Sequence, residues 1–134
     1  MLLTGSLPIQ MFGTTTNLLA VADTSLMEPF PTNNLGGATV LLAGTGENLK
    51  RHRALLRFDP ASQLPVQSKI IAAALTLELT WVPVNGFAVA DFELHRLLLP
   101  WGEGDKISPT NCGSCVGTGS LATTNEATWF DRLA

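Results

Sequence analysis

The sequence has little charge, no tyrosine and no run of basic residues. Charged residues make up 14% of its 134 residues, and the formal net charge is −3. The nearest approach to a basic cluster is Lys50-Arg51-His52-Arg53. It lies where a strand begins, and positive charge on a sheet edge discourages pairing with other strands. Because nucleic-acid binding depends on concentrated positive charge, no nucleic-acid partner is expected.

Long apolar runs are also missing. No stretch approaches the roughly 18 consecutive apolar residues of a membrane-spanning helix, so no membrane span is expected. The apolar N-terminus is interrupted by Gly5, Pro8 and Gly13 and lacks a basic start, which makes it a poor signal peptide. The sequence contains no phosphate-binding glycine loop and no repeat with a period of about 20 to 50 residues.

What the sequence does contain is a series of short strand patterns separated by turn signals. Hydrophobic residues reach 46%, which is typical of a packed globular domain. The residue patterns predict strands over 18–22, 38–43, 52–58, 70–81, 88–99 and 127–130. We therefore predict an all-β fold, an antiparallel β-sandwich over residues 18–134 preceded by an N-terminal extension over residues 1–17.

The clearest strand pattern is the alternation within residues 70–81. Leu75, Leu77, Leu79 and Trp81 alternate with polar residues, so one face is expected to be buried and the other wet. Asn85-Gly86 follows as a hairpin-turn signal, which makes residues 88–99 the predicted partner strand.

Short motifs in a conserved-looking order give the chain a family resemblance. They are Ala22-Asp23-Thr24, Asn33-Asn34-Leu35-Gly36, Arg53-Ala54-Leu55-Leu56-Arg57-Phe58-Asp59, the strand pattern of residues 70–81, Leu94-His95-Arg96, Trp101-Gly102-Glu103-Gly104 and Glu126-Ala127-Thr128-Trp129. From about Ala22 to Leu133 the sequence resembles the DNRLRE domain, a secreted bacterial module related to the family 96 carbohydrate-binding modules and the disaggregatase-related domains.

The resemblance implies a jelly-roll sandwich in a secreted or cell-surface protein, often as one module of a larger chain, that binds polysaccharide. Chains of the family continue past the segment that matches residues 127–129. We therefore expect the sandwich to be incomplete at its C-terminal end and to leave an open sheet edge. The alternative function is then a structural or adhesive subunit that assembles, with itself or another chain, through that edge.

Sugar binding needs an exposed aromatic face with polar groups around it. Trp101 follows Pro100 at the mouth of the long 100–126 loop and is the best aromatic candidate, whereas Trp81 and Trp129 are expected in the core. The predicted ligand-binding residues are Arg53, Arg57, Glu93, His95, Arg96 and Trp101. Arginine would favour an acidic sugar, because its planar fork matches a carboxylate.

Two further features have an ordinary structural explanation beside the functional one. Oxygen-bearing side chains near loops could hold a structural calcium ion, but Asn and Asp also serve in turns and caps; the calcium candidates are Asp23, Glu28, Asn33 and Asp59. Cys112 and Cys115 could form a redox pair, half of a zinc site or a small disulfide. In an exported protein a local disulfide is expected.

The sequence offers little for catalysis. Asp91 and Glu93 share one strand face, and Glu103 and Asp105 flank Gly104. Carboxylates at this spacing are common on a solvent-exposed strand, whereas the two catalytic carboxylates of a glycosidase face each other across a cleft. The predicted function is therefore non-catalytic.

Overall fold

The computed structural model of the protein describes residues 13–46, 49–81, 91–111 and 116–133. Its strands are β1 (Ala20–Met27), β2 (Asn33–Asn34), β3 (Gly44–Thr45), β4 (Arg51–Phe58) and β5 (Ser120–Leu121), and its single short helix is α1 (Pro60–Gln63). The strands form a three-stranded sheet in the order β1-β4-β3 and a two-stranded sheet of β2 and β5. All pairings are antiparallel, which confirms the predicted all-β class.

The prediction for residues 52–58 is confirmed by β4, which begins one residue earlier. The strand ends because Asp59-Pro60 starts α1: Pro60 occupies the first helical turn, and the Asp59 carboxylate accepts a hydrogen bond from the Ser62 N–H at 3.2 Å. One helical turn therefore follows the strand directly.

The strand predicted over residues 18–22 overlaps β1, but β1 runs on to Met27. The polar residues Asp23, Thr24 and Ser25 concealed the continuation, because polar neighbours normally mark a strand's end or wet face. In the fold Thr24 and Ser25 are completely buried. Ser25 is satisfied there because its Oγ accepts from the Leu42 N–H at 2.8 Å.

The other strand predictions are wrong for the described residues. Residues 38–43, 70–81, 91–99 and 127–130 belong to neither helix nor strand, and β3 covers only Gly44–Thr45. Alternation shows that a segment suits a strand, but a strand also needs a neighbour to complete its hydrogen bonds, and no described segment provides one here. The predicted Asn85-Gly86 turn and residues 88–90 lie outside the described residues.

The core is small: Met27 and Leu35 are buried, and its main cluster lies on one face of the β1–β4 pair. Ala22, Trp101 and Ala127 form its buried cluster, and Leu26 and Leu55 pack against it. Leu77 and Trp81, which were predicted to face inward, are instead 65% and 71% exposed. No helix among the described residues is long and apolar enough to cross a membrane.

Candidate ligand-binding surface

The arginines of β4 share one face of the strand. Arg51, Arg53 and Arg57 lie at even spacing, and side chains two residues apart point to the same side. Leu55 lies between Arg53 and Arg57 on that side and packs on the core. The face therefore carries cationic groups directly beside apolar packing.

Two of these arginines stack on Trp129. The Arg53 guanidinium carbon lies 4.7 Å from the Trp129 ring centroid, and that of Arg51 lies 5.5 Å away. Both distances allow cation–π attraction, which restrains the long arginine side chains. Trp129 is only half-buried. Trp129 was predicted to lie in the core, but it lies at the boundary between the core and the arginines.

Trp101 stacks under the third arginine and is buried, with 7% of its surface exposed. The Arg57 guanidinium carbon lies 5.3 Å from the Trp101 ring, and Arg57 Nη1 donates to the Trp101 carbonyl at 3.4 Å. The expectation that Trp101 is an exposed platform is therefore corrected. Its ring is covered because Ala22 and Ala127 pack with it in the core.

We call Arg51, Arg53, Arg57, Trp101 and Trp129 the Arg–Trp surface. Glu28 neutralises one end of it: the Glu28 carboxylate lies 3.2 Å from Arg51 Nε and 3.4 Å from Lys50 Nζ. Donation by the Arg51 backbone N–H, followed by its side chain, lowers the Glu28 pKa. Within the described residues no carboxylate forms an ion pair with Arg53 or Arg57.

An apolar groove of about 450 Å³ borders this surface. Trp129 belongs to both, since its ring contacts Arg53 and also lines the groove. The other apolar side chains of the lining are Leu26, Leu55, Leu97, Leu98, Leu99, Trp101, Ala127 and Phe130. The volume lies within the range of small-ligand sites, roughly 300–1,000 Å³.

The remaining predicted ligand-binding residues lie apart from the Arg–Trp surface. The side chains of Glu93 and His95 form an exposed hydrogen bond of 2.9 Å, and Arg96 is exposed. No hydrogen bond or ion pair of the described residues connects these three side chains with the arginines of β4. The predicted set therefore divides into a β4 group and a 93–96 group.

Beneath the surface, the Asn34 side chain holds three segments together. Asn34 is completely buried. Its Nδ2 donates to the carbonyls of Glu103 at 2.7 Å and Ala127 at 3.0 Å, and its Oδ1 accepts from the N–H groups of Gly36 at 2.9 Å and Lys106 at 3.3 Å. The amide nitrogen and oxygen of Asn34 therefore position residues 101–106 and 126–128. The first segment contains Trp101, and the second directly precedes Trp129.

A buried carboxylate joins the same segments. Glu126 accepts from Lys106 Nζ at 2.9 Å and from the N–H groups of Thr123 at 2.6 Å and Asp105 at 3.3 Å. Burial opposes ionisation, but these donors outweigh it and lower the Glu126 pKa to about 2. Lys106 also bonds Asp105, and these two carboxylates raise the Lys106 pKa.

Sequence reasoning identified the Asn33-Asn34 and Glu126–Trp129 motifs but not these roles. It also placed Trp129 in the core and grouped Arg51 with a solvated sheet edge. The available signal was the even spacing of Arg51, Arg53 and Arg57, which puts them on one face of a strand.

The calcium candidates are not brought together. Glu28 follows the Met27 end of β1, whereas Asp59 follows β4 beyond the opposite end of the ladder, where Ala20 pairs with Phe58. At about 3.3 Å per residue these ends are roughly 20 Å apart. Asn33 instead donates to the Thr118 carbonyl at 2.9 Å.

Asp23 is the one candidate beside another carboxylate. Its backbone N–H donates to Glu103 Oε1 at 2.9 Å, and burial, with a smaller contribution from the Glu103 charge, raises the Asp23 pKa. Within the described ranges, no three His, Cys, Asp or Glu side chains are grouped as metal ligands. Cys112 and Cys115 lie outside the described residues, so their disulfide stays a prediction.

Comparison with known proteins adds no relative to this description. The resemblance to the DNRLRE domain therefore stays a prediction. No protein-family model, no curated protein and no solved structure matches the chain.

Proposed function

We propose that this chain is a non-catalytic, extracellular module that binds acidic polysaccharide at the Arg–Trp surface. The observation that carries the proposal is the position of Arg53, which stacks on Trp129 beside an apolar groove without an ion-pair partner among the described residues. A guanidinium held over a ring by its face keeps its N–H edge available for a carboxylate. The groove supplies apolar surface for the C–H groups of a sugar.

Three carboxylates already bond other groups of the fold, which supports the non-catalytic part of the proposal. Glu126 bonds Lys106, Glu103 accepts from Asp23, and Glu28 pairs with Arg51. Glycoside hydrolysis needs two carboxyl groups that face each other across a cleft. These carboxylates stabilise the fold instead.

The two antiparallel sheets also support a sandwich of the jelly-roll kind, as the DNRLRE resemblance implies. Secretion and attachment to a bacterial surface belong to the same proposal. A structural calcium ion would have Asp23 and Glu103 as its nearest carboxylate pair, and the other three candidates have structural roles.

Affinity electrophoresis in gels containing a polyuronate tests the binding. We expect the native domain to be retarded by polygalacturonate and not by an uncharged polysaccharide. Arg53→Gln should weaken retardation by about tenfold, because a hydrogen bond to a charged group contributes roughly 1.5 kcal/mol. Arg53→Lys should lose part of the affinity, since it keeps the charge but loses the fork.

Lys69→Gln is the matched control, because it removes the same charge at an exposed position away from this surface. Equal weakening by Arg53→Gln and Lys69→Gln would show that net charge alone causes retardation. No retardation by any acidic polysaccharide would contradict the proposal.

A second function, self-assembly through unpaired strand segments, is favoured by a separate observation. The large apolar side chains of residues 70–81 and 91–99 are between 41% and 81% exposed: Ile70, Ile71, Leu75, Leu77, Leu79, Trp81, Phe92, Leu94, Leu97, Leu98 and Leu99. Exposed apolar patches of this extent mark interaction surfaces. Light scattering after size exclusion tests it, and a monomer at every concentration would contradict it.

A further inference from the structure

We propose that residues 69–81 pair antiparallel with the same residues of a second copy, around a two-fold axis at Leu75. This inference rests on the proposed assembly function and names its partner and its register. The paired residues 69–81 are not part of the Arg–Trp surface.

The backbone of this segment is available for pairing. Residues 70–81 are exposed throughout and belong to neither helix nor strand. No hydrogen bond connects their backbone to the other described residues; the preceding bond is the turn from the Ser68 N–H to the Pro65 carbonyl at 3.1 Å. Backbone donors and acceptors of a β-prone segment are commonly satisfied by an added strand.

The apolar surface is large enough for a stable contact between copies. The exposed side chains of residues 70–81 and 91–99, at roughly 100 Å² each, present on the order of 1,000 Å². The largest apolar patch on a typical monomer is about 300–600 Å², and a stable interface buries about 800 Å² per partner. A two-stranded ribbon alone is marginal in water, so burial of this surface must accompany the pairing.

Size complementarity selects a second copy of this chain as the occupant. The first half of the segment has the small residues Ala72, Ala73 and Ala74, whereas the second half has large ones. Antiparallel pairing centred on Leu75 places Leu77 opposite Ala73 and Leu79 opposite Ile71. Leu77 thus meets the small Ala73 across the two strands, and each strand fits its own copy.

Charge selects the direction of pairing. Parallel pairing in register would place Glu78 opposite Glu78 and Lys69 opposite Lys69, and like charges directly opposite are destabilising. The antiparallel register instead places Glu78 opposite Ala72 and Lys69 opposite Trp81, which is 71% exposed and able to accept a cation on its ring. This register also pairs every residue from 69 to 81.

Because Leu75 would face its own copy, charges introduced there test the register. We expect the wild type to be a dimer by light scattering, whereas Leu75→Glu and Leu75→Lys alone are monomers. An equimolar mixture of the two variants should restore the dimer, since opposite charges then meet at the axis. Thermal unfolding of each variant's monomer that matches dilute, dissociated wild type would show that its fold is intact.

Cysteine cross-linking provides a second test. It still reports the register when a substitution weakens the dimer. In a background with Cys112→Ser and Cys115→Ser, Leu75→Cys should oxidise rapidly to a covalent dimer, because directly opposite residues have Cα atoms about 4.5–5.5 Å apart. Ala74→Cys and Leu79→Cys are the matched controls and should cross-link at least tenfold more slowly.

Each result separates the two proposals. A wild-type monomer at all concentrations would overturn both the assembly function and this register. Wild-type oligomers that persist in Leu75→Glu, or that cross-link faster through Ala74→Cys or Leu79→Cys, would retain assembly but overturn self-pairing around Leu75.

Discussion

At the scale of single residues, Asn34 has a large structural role that the sequence around it does not indicate. Asn33 and Asn34 look equivalent as loop residues, but only Asn34 is completely buried, and its amide bonds four backbone groups. Gly104 is required beside it: its φ is +79°, and a Cβ there would overlap the Asn34 amide.

Replacing Asn34 should therefore destabilise the fold much more than replacing Asn33. Asn34→Ala leaves several buried backbone groups without partners and should cost about 3 kcal/mol, whereas Asn33→Ala loses one bond and should cost about 1 kcal/mol. Urea unfolding followed by tryptophan fluorescence measures both. Equal losses in the two variants would show that the Asn34 bonds do not hold the segments together.

Glu126 should make the fold sensitive to acid. Its pKa is lowered from 4.5 to about 2 in the folded state, so its contribution to stability is complete above pH 4.5. That contribution is lost as the pH falls from 4.5 towards 2. With allowance for partial solvent screening, the loss is about 2 kcal/mol.

Urea unfolding between pH 7 and pH 2.5 checks this dependence. Glu126→Gln should be less stable at pH 7 and should show a flatter decline below pH 4.5. Glu78→Gln, which neutralises an exposed carboxylate, is the control and should keep the wild-type profile. A wild-type profile in Glu126→Gln would exclude Glu126 as the source of the acid sensitivity.

At the scale of elements, the junction of β4 and α1 depends on Asp59 as a helix cap. Its carboxylate accepts from the Ser62 N–H, and Pro60 follows in the first turn. This contact gives Asp59 a structural role in place of the predicted role as a calcium ligand.

Substitution separates the two roles of Asp59. As a cap, Asp59→Asn should leave the Tm almost unchanged, because asparagine caps equally well, and Asp59→Ala should lower it by about 2–4 °C. Differential scanning fluorimetry with and without calcium measures this. A calcium-dependent Tm in the wild type that disappears in Asp59→Asn would identify a metal ligand instead.

At the scale of the whole molecule, two surfaces with different chemistry are available to partners. The Arg–Trp surface joins cations to an apolar groove. Residues 70–81 and 91–99 instead expose large apolar side chains, and their backbone makes no hydrogen bond to the other described residues. The proposed glycan binding would use the first surface and the proposed pairing would use residues 69–81 of the second. Leu97, Leu98 and Leu99 line the groove and also belong to the 91–99 segment, so the two surfaces meet there.

Assembly should make thermal stability depend on protein concentration. Any contact made by the folded chain and not by the unfolded chain stabilises it by mass action, so the Tm should rise by a few degrees between about 1 and 100 μM. Leu75→Lys should abolish this rise, and Val66→Lys, which adds the same charge at an exposed apolar residue outside the paired segment, should keep it. An invariant wild-type Tm would contradict assembly.

Part of the fold was predictable because local chemistry decides it. The β4 strand and its end follow from β-prone residues that run into Asp59-Pro60, where proline cannot continue a ladder. The all-β class follows from frequent turn signals and short strand patterns. The arginine positions in the candidate site also follow from period-two spacing along a strand.

The rest depends on neighbours that are distant in sequence. Trp101 and Trp81 both follow apolar segments, but Trp101 is buried with Ala22 and Ala127 while Trp81 stays exposed. The sequence by itself determined which segments suit a strand and which face of β4 carries arginine, because those properties depend on residues two to four apart. Only the tertiary structure decided which strands find partners, which tryptophan is covered and which asparagine is a buried junction, because each depends on what packs against it.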